Sequence, residues 1–190
     1  MPTIAVLLTQ GFADWEYALI GGTGSPFYGV TICYVTPTPG VITSQGGLQA
    51  NIPHSVDYLE DLAPDAIAII GGAIWETPDA PDLAGLLRAH HDGGATIAGI
   101  CGGTLALARA GLLDQVPHTS NDPTFLSTHG GGYQGAAQYK TSARAVSADR
   151  IITAPGTAPV GFAAALFRAV GVDDGQVDQL EKMLAAEHIG

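Results

Sequence analysis

Four stretches of this chain are almost wholly apolar, and between them polar positions recur at helical spacing. Thr3 to Thr9, Val30 to Val35, Asp65 to Ile70 and Ala95 to Ile100 read as short runs of Ile, Val, Leu and Ala. All four predict strands, and the continuous runs at Thr3 to Thr9 and Asp65 to Ile70 predict strands buried on both faces, as in a parallel sheet. Ala13 to Ile20 predicts a first helix after the turn at Gln10-Gly11-Phe12, and Asp79 to His91 predicts another, with Pro81 in its opening turn and Gly93-Gly94 closing it. Val41 to Ala50 reads as a small hairpin over Gly46-Gly47. Asp57 to Leu62 is too short to assign.

The second half continues the pattern. An Ala/Leu-rich helix follows Cys101, and Gly130 to Tyr133 reads as a connector. Gln138 to Val146 and Arg150 to Thr153 predict two more strands turning at Ala148-Asp149, followed by helices over 160–170 and 173–187. Alternation of this kind predicts an α/β doubly wound sheet, mainly parallel, with right-handed crossovers. No repeat, charge block or linker interrupts it, so one domain over residues 1–190 is expected.

Composition narrows the partners. The chain has 190 residues, 46% hydrophobic and 13% charged, which predicts a well-buried core. Its net charge of -11 argues against nucleic acid and anionic membranes. Two cysteines, Cys33 and Cys101, make no disulfide framework. The start Met-Pro-Thr-Ile lacks a signal pattern and no apolar run spans a bilayer, so a cytoplasmic location is expected. The absence of a P-loop, of G-x-G-x-x-G after the first strand and of a close His/Cys/Asp set leads us to expect no cofactor and no metal.

The candidate chemistry centres on Gly99-Ile-Cys-Gly-Gly103, where a strand meets a helix at once. Glycines flank a nucleophile elbow because the turn is sharp and brings backbones together. N–H groups at a helix start favour thiolate at Cys101, whereas the bland reading is a buried structural cysteine. Cys33, mid-strand, reads as inert core. Glu16 falls just beyond the carboxyl end of the first strand, the edge where open α/β sheets bind ligands. Gly71-Gly72-Ala73 ends another strand and can offer N–H groups to an oxyanion, or be an ordinary turn. His118, in the polar cluster Val116 to Pro123, is the obvious candidate base, while Asn121 and Asp122 share its loop and Asp122-Pro123 can start a helix. Trp15 and Trp75 lie beside these residues in sequence and either line a pocket or pack in a core or interface.

Taken together, Gly11-Phe-Ala-Asp-Trp-Glu16, Ile69-Ile-Gly-Gly72, Ala98-Gly-Ile-Cys-Gly-Gly-Thr104, Ala110-Gly-Leu-Leu-Asp114 and Thr153-Ala-Pro-Gly-Thr-Ala-Pro159 resemble the ThiJ/PfpI superfamily, relatives of the class I glutamine amidotransferase domain. The His-Thr-Ser-Asn stretch at 118–121 resembles a bacterial branch of it. The resemblance implies a flavodoxin-like three-layer sandwich, usually homodimeric, with Cys101 as the reactive thiol. It implies a protonated Glu16 bonded to the sulfur, which requires a raised carboxyl pKa and a lowered thiol pKa. It implies an oxyanion site at the N–H groups of Gly72, Ala73 and Gly102.

Two positions depart from the family pattern. Gly102 stands where peptidase-like members carry histidine, which argues against a protease. The histidine of the glyoxalase and deglycase branch would fall at Asn121 or Asp122, and His118 comes three residues early.

Two functions follow from the same thiol. One is a hydrolase or glyoxalase-like enzyme whose small-molecule substrate is an electrophilic carbonyl. The other is a non-enzymatic stress protein, a redox sensor or holdase with an oxidisable Cys101. A glutaminase half-domain is weaker, since Pro155 to Pro159 lacks the late His–Glu pair.

Overall fold

The computed structural model describes residues 1–186. Along the chain run β1 (Thr3–Leu7), α1 (Asp14–Tyr28), β2 (Thr31–Thr36), β3 (Gly40–Thr43), β4 (Gln49–Ile52), β5 (His54–Ser55), α2 (Tyr58–Leu62) and β6 (Ala66–Ile69). They are followed by α3 (Ala84–Asp92), β7 (Thr96–Ile100), α4 (Thr104–Arg109), α5 (Pro123–His129), β8 (Val146–Ala148), β9 (Ile151–Ala154), α6 (Pro159–Ala169) and α7 (Asp174–Ala185). Seven strands form one sheet in the order β5-β2-β1-β6-β7-β9-β8, and β3 and β4 form a separate hairpin.

Every pairing in the large sheet is parallel except that of β8 with β9. The runs at β1 and β6 are buried for the expected reason, since they lie inside the sheet beside β7 and β9 with helices on both faces. Strand β2, next to the edge, is exposed at Thr31 and only partly buried over residues 32–34. One apolar cluster, including Ile4, Val6, Ile20, Phe162 and Phe167, packs α1, α6 and α7 on one face. The other, including Leu7, Ile67, Trp75, Leu87 and Leu107, packs α3 and α4 on the opposite face. This is the flavodoxin-like three-layer α/β sandwich. No described helix is long and apolar enough to cross a membrane.

Three elements differ from the sequence reading. Helix α1 runs on to Tyr28, through Gly21, Gly22, Gly24 and Pro26, instead of ending near Ile20. Its glycines let the helix lie close on β2: a Cβ at Gly24 would stand 2.8 Å from Ile32 Cδ1, so close packing overrides low helix propensity. Helix α3 starts later than Asp79, at Ala84, where the Asp82 carboxylate accepts the Ala84 N–H at 3.0 Å. Most of 138–146 is not strand: Gly135–Gln138 is a 3-10 turn, and only Val146–Ala148 pairs, as the sheet edge. An edge position has a ladder partner on one side only; upstream of it Tyr139 makes just an isolated bridge with His118, where the Lys140 N–H donates to the His118 carbonyl at 2.7 Å. The predicted end of the last helix at Glu187 lies outside the described residues.

Candidate active site

Four adjacent parallel strands, β1, β6, β7 and β9, deliver their carboxyl ends to one edge, and each contributes a piece of the site there. Strand order reverses between β1 and β6, and such a reversal is where open α/β sheets bind ligands. After β1 the chain is stapled to the end of β6, since Ala13 N–H donates to the Gly71 carbonyl at 3.0 Å. That staple carries Glu16 in the first turn of α1 over the end of β6, where it is fully buried.

Cys101 follows β7 directly and adopts φ 54°, left-handed for a residue with a Cβ. Such a conformation costs about 1–3 kcal/mol and persists only where the surroundings impose it. The imposition is visible in the glycines: a Cβ at Gly99 would stand 3.0 Å from the Gly103 carbonyl oxygen, and one at Gly102 would stand 2.9 Å from that of Gly72. The elbow read from the sequence is therefore present, as a strand-to-helix turn.

Glu16 and Cys101 meet over Gly71. The Gly71 N–H donates to Glu16 Oε2 at 2.7 Å, and a Cβ at Gly71 would fall 2.6 Å from that oxygen and 2.8 Å from Cys101 Cβ. The other oxygen, Oε1, has no settled hydrogen-bond partner in the protein and shares this space with the thiol. Burial pushes the Glu16 carboxyl up to about 7, against the opposing pull of the Gly71 N–H and the Cys101 thiol.

The thiol itself does not follow the expectation of a lowered pKa. Burial pushes Cys101 up, and the negative charge of Glu16 pushes it the same way, while the Asn121 amide and the Gly102 N–H pull it down. Helix α4 spans only Thr104–Arg109 and adds little dipole. The carboxyl and the thiol thus shift one another, and their titrations belong to the pair rather than to either residue alone.

The remaining partner of the sulfur is Asn121, whose Nδ2 donates to Cys101 Sγ at 3.3 Å. Its Oδ1 accepts the N–H of Gly156, two residues past the end of β9, at 3.0 Å. The loop before Asn121 is anchored residue by residue. Thr119 N–H donates to Thr153 Oγ1 at 2.9 Å, Ser120 Oγ shares a 2.7 Å hydrogen bond with Thr104 Oγ1, and Tyr139 donates to the Ser120 carbonyl at 3.2 Å.

His118 is corrected from candidate base to scaffold. It is fully buried, with Nδ1 2.8 Å from the Val116 carbonyl and Nε2 2.6 Å from the Tyr133 hydroxyl. A carbonyl only accepts, so Nδ1 carries the proton and Nε2 accepts from Tyr133, leaving no ring nitrogen for Cys101. Burial lowers its pKa, which keeps the ring neutral. Trp75 is corrected likewise from pocket to core: it is fully buried and donates Nε1–H to the Ile70 carbonyl at 2.9 Å. Trp15 stays at the mouth, 48% exposed, donating to the Gly156 carbonyl at 2.9 Å. Asp122 caps α5 through the N–H groups of Thr124 and Phe125.

Gly72 and Gly102 are adjacent in space, and Ala73 opens the short turn Ala73–Glu76, whose first N–H groups lack intrahelical acceptors. Cys33 sits in the middle of β2, its thiol raised by burial. Among the described residues no cluster of three or more His, Cys, Asp or Glu is placed to hold a metal. The sequence places Gly71 only in the glycine turn that can serve an oxyanion and assigns Gly156 no role. The signal for both is that each lies two residues past a buried strand, at the edge where open α/β sheets bind ligands.

Comparison with known proteins places this geometry. The model of the DJ-1/PfpI family matches residues 2–169. The Uncharacterized protease YoaZ of Bacillus subtilis is 32% identical over 171 residues, covering 84% of this chain and 79% of that protein. The crystal structure of the DJ-1 superfamily protein Atu0886 from Agrobacterium tumefaciens superposes with a TM-score of 0.93 at 38% identity, over 99% of this chain and 100% of that one. A thiJ/pfpI family protein from Bacillus anthracis superposes with a TM-score of 0.82 at 26% identity, over 98% of this chain and 91% of that one.

Proposed function

The chain belongs to the DJ-1/PfpI family, and from that premise we propose that it is a cysteine-dependent enzyme, hydrolase or glyoxalase-like, acting through Cys101 on a small electrophilic carbonyl. The observation that carries the reading is the pairing of a strained, partly exposed cysteine with a buried carboxyl that titrates near 7. A general acid–base group is most effective when its pKa lies near the working pH.

The reaction runs on one mobile proton. In the singly deprotonated pair that proton rests mainly on sulfur, because the thiol is held above its ordinary range. Its transfer to Glu16 removes the carboxylate charge that opposes the thiolate and turns the carboxyl into an O–H donor facing sulfur. The thiolate then adds to the carbonyl carbon: a C–S bond forms, the C=O π pair moves to oxygen, and Glu16 returns the proton to that oxygen or to a leaving group. The proposed oxyanion donors are the N–H groups of Gly72, Ala73 and Gly102. With an amide or ester the adduct collapses, breaking the bond to the leaving group as that group takes the proton, and water hydrolyses the resulting thioester to the acid and free thiol. With an α-oxoaldehyde the hemithioacetal isomerises to an α-hydroxy thioester, and water breaks its C–S bond to give the hydroxy acid and free thiol.

Proteolysis forms no part of the proposal, since Gly102 follows the cysteine and His118 is engaged elsewhere. The proposed location is the cytoplasm, where two unpaired thiols stay reduced. A homodimer belongs to the same proposal: Val41 and Leu48 are exposed apolar residues on or beside the β3–β4 hairpin, which is tied to the start of α1 near exposed Trp15 by the Gly46 N–H bond to Asp14. Leu48→Glu should be monomeric by light scattering at concentrations where the parent is dimeric.

The deciding experiment is a panel of α-oxoaldehydes, esters and amides assayed with the parent protein and with Cys101→Ala. Saturable turnover that disappears in Cys101→Ala is expected. No turnover on any member, with Cys101 still rapidly alkylated, would favour the redox-sensing stress protein instead.

A further inference from the structure

A side chain at Gly156 would crowd the site, because a Cβ there would stand 3.0 Å from Cys101 Sγ, 3.1 Å from Cys101 Cβ and 3.2 Å from Glu16 Oε1, tighter than ordinary contact. A glycine at this position is also the residue with the most torsional freedom. Yet its N–H must stay aimed at Asn121 Oδ1, since that bond determines which end of the amide meets the sulfur. An amide reversed end for end would set its oxygen against sulfur and favour the thiol over the thiolate.

Gly156 is held from its other side by Trp15, whose indole N–H donates to the Gly156 carbonyl at 2.9 Å. Trp15 is itself fixed between two anchored neighbours. The Asp14 carboxylate accepts Gly46 N–H at 2.8 Å, and the Glu16 carboxyl accepts Gly71 N–H at 2.7 Å. The hydrogen-bonded series therefore runs from the half-exposed indole through Gly156 and Asn121 to the sulfur.

We propose that Trp15 is a positioning residue for the Cys101 thiolate: its indole N–H removes the torsional freedom of Gly156, so that Asn121 presents only its Nδ2 hydrogens to Sγ. This rests on the reading of Cys101 as the nucleophile. The hydrogen bond that the Trp15 indole makes is to Gly156, not to the sulfur or the carboxyl, so its action runs through the amide.

The test is the iodoacetamide alkylation rate of Cys101 from pH 5 to 10, followed by peptide mass with Cys33 as internal reference. It is run on the parent, Trp15→Phe, Asn121→Ala and the double variant. Loss of a hydrogen bond to a charged group lowers the rate at pH 8 roughly tenfold in Asn121→Ala. A partial loss of about threefold is expected in Trp15→Phe, as Asn121 spends time reversed or unpaired. In both, the high-pH inflection of the profile moves upward, which removal of mere packing would not produce. The double variant should match Asn121→Ala alone, because residues acting through one contact are not additive. A parent-like profile in Trp15→Phe, or additive losses in the double variant, would overturn the role of Trp15. A parent Cys101 that reacts no faster than Cys33 at any pH would overturn the nucleophile reading itself, and this proposal with it.

Discussion

The side-chain amide of Asn121 stands 3.3 Å from Cys101 Sγ with its hydrogens toward the sulfur. An amide can stabilise a thiolate but cannot take up its proton, and the titratable group that shares the space around Gly71 is Glu16, to which the proposed mechanism gives that task. The site is thereby a thiol–carboxyl pair assisted by an amide rather than a cysteine–histidine pair.

The pH dependence of reactivity follows from this division of labour. Alkylation of Cys101 should rise through an inflection near 7, as the pair loses its first proton at the Glu16 carboxyl. In Glu16→Gln that inflection should vanish, leaving one rise set by the thiol alone. A retained inflection near 7 in the variant would assign it to another group.

Stability should carry the same signature with a definite sign. The Glu16 carboxyl is raised from 4.5 to about 7 in the fold, so the native state binds this proton more tightly than the unfolded chain. Its contribution is present below pH 4.5 and is lost as pH rises through about 7. At pH 8 Glu16→Gln should be more stable than the parent by up to about 3 kcal/mol, a bound set by the full shift. At pH 4 that advantage should be gone. Urea unfolding of both proteins at the two pH values measures the difference.

Gly156→Ala tests the crowding around sulfur. The added Cβ lands at 3.0–3.2 Å from Cys101 and Glu16, closer than ordinary contact. Overpacking of this size costs about 1–3 kcal/mol. Thermal unfolding should register that loss, and the alkylation rate of Cys101 should fall because Sγ must move away from Asn121. An unchanged rate would mean that the sulfur has slack the geometry does not show.

His118→Ala should separate scaffold from chemistry. It leaves the Val116 carbonyl and the Tyr133 hydroxyl without their partner in a buried place, a loss of about 1–3 kcal/mol in denaturant unfolding. The pH profile of Cys101 alkylation in the folded variant should keep its shape. Because the pKa of His118 is lowered in the fold, its contribution is present above the unfolded value of about 6.5 and is lost as pH falls below that value. Replacing it should therefore flatten part of the acid destabilisation. A profile that loses its inflection near 7 would restore His118 as a participant.

Much of this was legible in local sequence. The apolar runs at β1, β6, β7 and β9, and the glycines around Cys101 and after Ile70, announced a parallel sheet, its ligand-binding edge and an elbow, because burial on two faces and a sharp turn each restrict which residues fit. Glu16 was placed correctly at the edge by counting from the end of β1. The sequence alone favoured His118 as the base and did not decide whether it, Asn121 or Asp122 partners Cys101 in their shared loop.

Only the tertiary structure chose among them. The choice depends on Thr153, Thr104 and Tyr139, which lie far from that loop in sequence and tie its residues in place one by one. The two tryptophans divided for the same reason: Trp75 found an acceptor in the core at Ile70, and Trp15 found one at Gly156, beside the sulfur. The direction of the thiol's pKa was likewise beyond local pattern. It follows from how deeply Cys101 is buried and from the charge on Glu16, and both exist only once the carboxyl ends of β1, β6, β7 and β9 are brought to one edge.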